Sequence, residues 1–303
     1  MLIFRFILSL TVITWVNGRT HPKKHHKGGH HRYSDECPCG ISDFVEERVI
    51  YGEVVKDYRK YPWIVGVISS HDWEEWGSCA GALISPTFVL TAAHCFPKQG
   101  TLSCWMMPYM CRAMKERKVQ IGLLGRNKYQ PLIKLPVKRI IVHPEFELYT
   151  PHHDIALVEL QISIPCTPYS KPICVIPPKN IAGVGQKMHI AGFGKVDLPQ
   201  FGQDLREGTS RIANGEVCRK RFVQFLPSEE LCGMPHGNTT VCMGDSGSSS
   251  FIQYKHRFYS VGVVSYGDMF CPTTNVPAVF MRTDMHFDFI RKYVKDLPRQ
   301  PNT

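Results

Sequence analysis

The chain has 303 residues, 43% of them apolar, and a formal net charge of +10. This length and apolar content allow a substantial hydrophobic core, in one large domain or two smaller ones. A positive charge of this size could attract nucleic acid or an anionic polysaccharide. The basic residues are spread along the chain, however, and no nucleic-acid recognition motif accompanies them. The charge is therefore interpreted as a solvated basic surface, and nucleic acid is excluded as a partner.

Residues 1–18 have the pattern of a secretory signal peptide. Arg5 is followed by the largely apolar run FILSLTVITWV and the exit Asn17-Gly18, and this segment is too short for a membrane span. No later apolar run is long enough to cross a bilayer, so the sequence predicts a secreted, extracellular protein. The twelve cysteines agree, because oxidising compartments favour stable disulfides.

The next segment, residues 19–48, begins with the polar, histidine-rich stretch RTHPKKHHKGGHHRYSDECPCG. It has almost no apolar residues to pack, so we expect disorder as far as Cys37 and Cys39. Its HHKGGHH core could hold a transition metal, since paired imidazoles are good ligands. A flexible, solvated tail is the preferred interpretation. No CxxC pair with a matching His or Cys partner is present, and neither a structural zinc site nor any cofactor is expected.

From Arg48 onward, short apolar or alternating runs are broken by Gly, Pro and Asn, which predicts an all-β barrel or sandwich. The runs are WIVGVIS, GALISPTFVLTAAH, KVQIGLL, VKRIIVHP, DIALVELQ, KMHIAGFG and YSVGVVSYG. Only the segment Asp284 to Lys295 has helical spacing. Met285 and Phe289 would share one face of that helix, with Tyr293 as a further candidate.

Three short motifs could together support acyl transfer by a hydroxyl group. That chemistry needs a nucleophile, a base, an acid that orients the base, and donors for the oxyanion. Ser246 in GDSG is the candidate nucleophile, and the flanking Gly244 and Gly247 allow a tight turn with N–H groups directed at one point. His94 in LTAAHC is the candidate base. Asp154 in HHDIALVEL, at the start of an apolar strand that would bury it, is the candidate orienting acid.

These motifs resemble those of the chymotrypsin-like (trypsin-family) serine proteases. TAAHC, DIAL and GDSG occur in the order His, Asp, Ser, which is the order of that family and differs from that of subtilisin and the α/β-hydrolases. Each motif alone is ordinary, but three in this order are specific, and the matching signals run from about Cys39 to the C-terminus. The resemblance implies an all-β fold of two packed six-stranded antiparallel β-barrels with a C-terminal α-helix.

The resemblance also implies a role for each catalytic candidate. Ser246 would attack the scissile carbonyl, and His94 would take the hydroxyl proton and later return it. Asp154 would orient His94. The N–H groups of Gly244 and Ser246 would bind the oxyanion. By the same resemblance, the RNKYQPLIK segment after Gly125 lacks the acids of the calcium loop found in some relatives, so no metal is expected.

The segment Arg48-Val49-Ile50-Tyr51-Gly52 resembles the activation junction of this family. Cleavage after Arg48 would free the amine of Val49, which would pair with a buried Asp245 and order the oxyanion loop. Residues 19–48 would then be a propeptide or light chain, and 49–303 the protease domain. The expected partners are protein or peptide substrates and an activating trypsin-like protease, with protease inhibitors and anionic polysaccharide as further candidates.

The cysteine positions match several disulfides of the family. The resemblance implies the pairs Cys79–Cys95, Cys218–Cys232 and Cys242–Cys271. Cys174 resembles the cysteine that ties the propeptide to the domain, with Cys39 as its partner. The pairing of the remaining four stays open, and elimination leaves Cys37 with Cys166 and Cys104 with Cys111. The usual cysteine before Gly192-Phe193-Gly194 is absent, with Met188 or a neighbour in its place.

By the same resemblance, Thr240 forms the floor of the primary specificity pocket. A neutral hydroxyl there cannot compensate a desolvated basic side chain. The other pocket residues would be Met243, Ser265, Tyr266, Gly267 and Ala278. Ala278 replaces a usual glycine and makes the pocket shallower, so we expect cleavage after medium or large apolar residues. Such an enzyme would not cut after Arg48 itself.

Three further features bear on the substrate. Asn238-Thr239-Thr240 is an N-glycosylation sequon beside the pocket floor, and its use stays open. The insertion GTLSCWMMPYMC could form an apolar lip of the cleft or could pack only on itself. Asp268 could attract a basic group at the pocket mouth, although a solvated rim carboxylate is the preferred interpretation.

Ser248 and Ser249 stand where the family has glycine and proline. Losing that glycine could strain the turn, and losing the proline could loosen it. The alternative to an active protease is therefore a weak or inactive protease-fold protein that binds polysaccharide or protein through its basic surface. The complete triad and activation junction favour the enzyme.

Overall fold

The computed structural model describes residues 37–44, 53–71, 74–96, 111, 114–115, 118–124, 133–147, 149–194, 204–237, 241–242, 244–267 and 275–301. Among them, no helix combines the length and the apolar character that crossing a membrane requires. The proposed signal segment and the histidine-rich stretch before Cys37 lie outside these ranges.

Strands account for most of the regular structure, as alternating and apolar sequence runs predict. The first strand, β1 (Glu53–Val54), is short. The next six form a closed antiparallel barrel in the order β2-β3-β4-β7-β6-β5. These six strands are β2 (Ile64–His71), β3 (Glu74–Leu83), β4 (Phe88–Thr91), β5 (Val119–Leu123), β6 (Ile133–Val142) and β7 (Ala156–Leu160).

The second barrel is built from the remaining six strands in the order β9-β10-β13-β12-β11-β8, and pairing of β8 with β9 closes it. The strands are β8 (Lys187–Gly192), β9 (Arg206–Ile212), β10 (Glu230–His236), β11 (Ser249–Tyr254), β12 (Arg257–Tyr266) and β13 (Ala278–Arg282). β1 pairs with the first two residues of β9, Arg206 and Glu207. The expected pair of six-stranded antiparallel barrels is thus confirmed, and closure leaves each barrel without a free edge.

Two α-helices are described over their whole length, α1 (Gly215–Arg221) and α2 (Phe287–Tyr293). Helix α1 was not predicted, because only Cys218 of its seven residues is buried and its sequence therefore has no apolar periodicity. The Asn214 side chain starts this helix by accepting a hydrogen bond from the Glu216 N–H at 3.0 Å.

The C-terminal helix is confirmed, but its predicted apolar face was partly wrong. Met285 precedes α2 and is 54% exposed, since the helix begins only at Phe287. Phe289 and Ile290 are the buried residues of the helix.

Disulfides attach the N-terminal segment 37–44 to the barrels. The structure joins Cys37 to Cys166, Cys39 to Cys174, Cys79 to Cys95 and Cys218 to Cys232. Gly40 donates a backbone hydrogen bond to Pro172 and accepts one from Phe258. The segment therefore lies alongside the start of β12. Cys111 and Cys242 are also disulfide-bonded, whereas Cys104 and Cys271 lie outside the described residues.

An aromatic cluster joins the two barrels. Trp63, before β2, lies 5.3 Å from Phe251 on β11 and 5.1 Å from Phe258 on β12, measured between ring centroids. Tyr61 lies 5.0 Å from Phe251. All four rings are buried, and their tilted and edge-on contacts favour one fixed arrangement of the barrels.

Replacing Phe251 by alanine should therefore lower the free energy of unfolding by about 3–5 kcal/mol, because it leaves a cavity between the barrels. Tyr254→Ala is the matched control, since Tyr254 lies on the same strand but is exposed. Its cost should stay below about 1 kcal/mol. Equilibrium urea unfolding measures both, and equal losses would contradict a structural role for the cluster.

Candidate active site

Strand pairing brings His94 and Asp154 together. β4 and β7 are antiparallel neighbours, with Thr91 opposite Ala156. His94 follows β4 in a 3-10 turn, Ala93–Cys95, and Asp154 comes two residues before β7, so both emerge from the same end of the barrel. The His94 Nδ1 lies 2.7 Å from one Asp154 carboxylate oxygen, and the His94 backbone N–H donates to the other at 2.8 Å.

A third donor completes the surroundings of the Asp154 carboxylate. Ser265, on β12 of the second barrel, donates its hydroxyl to Asp154 Oδ2 at 2.5 Å. Asp154 is wholly buried, so each of these bonds replaces a lost water contact. Ser265 was predicted to line the pocket wall, and its contact with Asp154 could not be predicted because no local motif links β12 to the loop before β7.

Charge and hydrogen bonding shift both pKa values in the direction that favours an ion pair. Burial raises the pKa of Asp154, but the charge and hydrogen bond of His94 and the Ser265 hydroxyl outweigh burial and hold it below its usual value. Burial lowers the pKa of His94, and the charge and hydrogen bond of Asp154 outweigh that effect and leave it raised. Nδ1–H thus points at the carboxylate, which leaves Nε2 with the lone pair of a base.

The loop that carries Ser246, the candidate nucleophile, packs against the first barrel beside His94. The Ser246 carbonyl accepts a hydrogen bond from the Ala80 N–H at 2.8 Å. The same carbonyl oxygen lies 3.9 Å from the Sγ of Cys95, the residue after His94. Gly247 has a φ of 82°, and an added Cβ would lie 2.1 Å from Thr91 Oγ1. Only glycine fits that approach, so the close packing of Ser246 depends on it.

The backbone of the loop leaves two N–H groups available. Asp245 donates to Cys242 and Gly247 donates to Val264, both at 2.9 Å. In the part of the chain that the structure describes, the N–H groups of Gly244 and Ser246 have no acceptor, and neither does the Ser246 hydroxyl. Gly244 has a φ of 102°, a conformation that favours glycine. The free N–H groups of Gly244 and of the partly exposed Ser246 are two donors that could bind an oxyanion.

Asp245 is a second buried acid with a different environment. Its carboxylate accepts from the N–H groups of Gly194 at 2.8 Å and Cys242 at 3.0 Å. An added Cβ on Gly192 or on Gly194 would lie 2.2 Å from this carboxylate, so the Gly192-Phe193-Gly194 segment makes room for it. Burial outweighs both hydrogen bonds and raises the pKa of Asp245 to about 6.

The three serines after the nucleophile are buried and hydrogen-bonded. Ser248 donates to the Ala191 carbonyl at 2.5 Å, and Ser249 donates to Ser260 at 2.6 Å. Ser250 donates to the Gly262 carbonyl at 3.2 Å. None of the three has a positive φ. The strained turn expected from losing glycine at position 248 is therefore absent, and these hydroxyls pack behind the loop instead of facing His94.

Part of the expected specificity pocket is described. An added Cβ on Gly267 would lie 3.4 Å from the Ala278 Cβ, so the Ala278 methyl group lies against the opposite wall. The Tyr266 hydroxyl donates to the buried Glu230 at 3.1 Å, and burial raises the pKa of Glu230 to about 7. Glu230 was not among the site residues predicted from the sequence.

Several expected site residues lie outside the described ranges. They include the activation pair Arg48 and Val49, the sequon residue Asn238, the pocket residues Thr240 and Met243, the rim residue Asp268 and the insertion GTLSCWMMPYMC except for its last cysteine, Cys111.

The architecture places the chain among the chymotrypsin-like serine proteases. The model of the Trypsin family matches residues 50–290, and the chain belongs to that family. It is 28% identical over 264 residues to the suppressor of tumorigenicity 14 protein homolog of Bos taurus, covering 84% of this chain and 29% of the relative.

Two insect relatives match over most of their length. Identity to phenoloxidase-activating factor 3 of Holotrichia diomphalia is 26% over 275 residues, which is 86% of this chain and 76% of the relative. Identity to venom serine protease Bi-VSP of Bombus ignitus is 27% over 263 residues, which is 82% of this chain and 69% of the relative. By contrast, the chain spans less than a third of the bovine relative.

The pKa of His94 provides a test of this geometry that does not depend on activity. NMR titration should find it above the ordinary value near 6.5. Asp154→Asn should bring it below that value, because burial then acts without the opposing charge. Asp288→Asn removes an exposed acid on α2 and should leave it unchanged. The same pKa in all three proteins would show that Asp154 does not govern His94.

Proposed function

We propose that this protein is a catalytically active serine endopeptidase that uses Ser246, His94 and Asp154. The observation that carries the proposal is the buried Asp154 carboxylate, which binds both N–H groups of His94 and leaves Nε2 as a base. The packing of Ser246 on Ala80, next to the His94 turn, supports the assignment of the nucleophile.

In the proposed reaction, the Ser246 Oγ attacks the scissile carbonyl while His94 Nε2 takes its proton. The Asp154 carboxylate stabilises the imidazolium ion without itself becoming protonated. The N–H groups of Gly244 and Ser246 bind the oxyanion of the tetrahedral intermediate. His94 then protonates the leaving amine. In the second half it takes a proton from water, whose oxygen attacks the acyl-enzyme, and it returns that proton to the Ser246 Oγ as the acid product leaves.

The protein is proposed to be made as a secreted zymogen and activated by cleavage after Arg48. The buried Asp245 supports this, since two N–H donors compensate its charge only partly and its pKa lies near 6. A new ammonium group at Val49 would supply the missing cation and hold the Gly244 loop in the oxyanion-binding form. The Cys39–Cys174 disulfide would keep the cleaved segment attached.

Ala278 supports a preference for apolar residues before the cut bond. Its methyl group narrows the gap to Gly267, and the sequence places a neutral threonine, Thr240, at the expected pocket floor. The substrate class is therefore proposed to be proteins cut after medium or large apolar residues. Activation after Arg48 then requires a different, trypsin-like protease.

Activity-based labelling tests catalytic competence. The full chain is processed after Arg48, and N-terminal sequencing verifies that Val49 is the new terminus. A fluorophosphonate probe should then label wild-type protein at Ser246, while Ser246→Ala and the unprocessed Arg48→Gln variant should stay unlabelled. Absence of labelling in correctly processed wild-type protein would contradict the proposed endopeptidase activity and favour a protease-fold binding protein.

Ala278→Gly tests the pocket by deepening it. The measured quantity is kcat/KM for substrates with Phe or Tyr before the cut bond, divided by kcat/KM for substrates with Val there. This ratio should rise about 10-fold or more, because a methylene-sized change in an apolar pocket alters discrimination by at least that factor. Ala182→Gly, in the loop before β8, should leave this ratio unchanged. Peptide-library profiling measures both variants, and a wild-type preference for Arg or Lys would contradict the proposed specificity.

A further inference from the structure

Outside the candidate triad, three segments converge on a cluster of imidazole and carboxylate groups. His153 precedes β7, Glu229 precedes β10, and His286 immediately precedes α2. The His153 Nδ1 lies 3.3 Å from the His286 Nε2 and 3.3 Å from the Glu229 Oε2. Donor atoms bound tetrahedrally to zinc at about 2.0–2.1 Å are separated by about 3.3 Å. The spacing therefore matches two edges of such a tetrahedron without rearrangement.

The hydrogen bonds around the cluster leave lone pairs on the His286 Nε2 and the Glu229 Oε2, each 3.3 Å from the His153 Nδ1. The His286 Nδ1 lies 2.8 Å from the Arg282 carbonyl oxygen, so Nδ1–H donates and Nε2 carries the lone pair. A carbonyl that accepts from the second ring nitrogen is the usual support of a metal-binding histidine. The Glu229 Oε2 is buried and accepts no hydrogen bond from any described residue, although Glu229 itself is only half-buried.

A fourth residue, His143, fixes the orientation of the His153 ring. The two rings stack with centroids 4.6 Å apart and an interplanar angle of 8°. His143 also meets His286 edge-on at 5.6 Å. Burial and the neighbouring His153 and His286 lower the pKa of His143 to about 4, and burial lowers the pKa of His286.

We propose that His153, Glu229 and His286 form a binding site for a divalent transition-metal ion, with Zn²⁺ as the best fit. Two imidazoles and one carboxylate suit zinc, whereas calcium and magnesium prefer oxygen ligands alone. His153 and Glu229 each keep about a fifth of their side-chain surface exposed. This opening gives the ion a path from solvent and leaves its fourth position for water.

Metal binding at this cluster would change the tautomer of one imidazole. In the metal-free protein, the His153 Nδ1–H donates to the His286 Nε2. For both of these nitrogens to bind an ion, the His153 proton must move to its own Nε2, and the neutral ring releases no net proton. The ion would also connect the Asp154 loop of the first barrel to β10 and α2, and it should stabilise the folded chain as its concentration rises above its dissociation constant.

Zinc binding tests the site on the full chain without any need for activity. Because the N-terminal stretch also contains paired histidines, the background protein carries asparagine at His25, His26, His30 and His31. Isothermal titration with Zn²⁺ should give one saturable site, and Co²⁺ should give the absorption spectrum of a tetrahedral complex. The melting temperature should increase with added Zn²⁺.

Single substitutions then assign the ligands. Glu229→Gln and His153→Asn should each weaken Zn²⁺ binding about 100-fold or more, beyond the 10–100-fold typical of changes in supporting residues. Asparagine suits the positive φ of 51° at His153. The control His256→Asn changes an exposed histidine that also has a positive φ, 63°, and should bind zinc like the background.

Circular dichroism confirms folding before each titration, and Glu229→Gln keeps both the size and the shape of its side chain. No saturable binding in the background, or unchanged affinity in both ligand variants, would overturn the site. Labelling of Ser246 reports on the protease separately, so either proposal can fail while the other stands.

Discussion

The candidate site depends on one interaction, the solvation of a buried anion by protein donors. The Asp154 carboxylate has no exposed surface and accepts from the His94 N–H, the His94 ring and the Ser265 hydroxyl. Removing a partner from a buried charge costs several kcal/mol. His94 belongs to the first barrel and Ser265 to the second. The carboxylate therefore fixes the imidazole tautomer and couples the position of His94 to the relative position of the two barrels.

The two buried acids of the site differ in their partners. Asp154 has a potential cation beside it, and its pKa lies below the usual value. Asp245 has only backbone donors among the described residues, and burial raises its pKa to about 6. Because the folded state holds its proton more tightly than the unfolded chain, Asp245 makes the fold less stable as pH rises from about 4 to 6. Above pH 6 the cost is complete, and a nearby cation would reduce it.

Space, as well as charge, determines how the nucleophile loop is placed. Gly247 lies so close to Thr91 and Ala80 that a side chain would collide with them. Behind the loop, the hydroxyls of Ser248, Ser249 and Ser250 donate to acceptors on β8 and β12. The departure from the usual family sequence at these positions therefore leaves no buried serine hydroxyl without a hydrogen bond.

The histidine cluster shows how the same loop serves two sets of contacts. His153 and Asp154 are adjacent, yet Asp154 faces His94 whereas His153 faces Glu229 and His286. The positive φ of His153 lets consecutive side chains point to different surroundings. A metal ion bound to His153, Glu229 and His286 would therefore act on the backbone segment that also carries Asp154.

The sequence alone determined the strand-rich architecture, the disulfide-rich character and the identity of the triad candidates. Alternating apolar runs and ordered motifs are local patterns, so they can be recognised in the sequence alone. Short or polar elements such as α1 and β9 carried too weak a periodicity to be found. Met285 was misplaced because a turn delays the start of α2 from the predicted Asp284 to Phe287.

Only the tertiary structure decided which distant groups meet. Ser265 solvates Asp154 across 111 residues of sequence, and His286 reaches His153 across 133. The folded chain also showed that the unusual serines are satisfied and that Asp245 is buried with backbone donors. Burial, pKa shifts and donor spacing arise from packing between the two barrels. No local pattern of residue types encodes that packing, because each partner is a common residue whose significance appears only when the other is beside it.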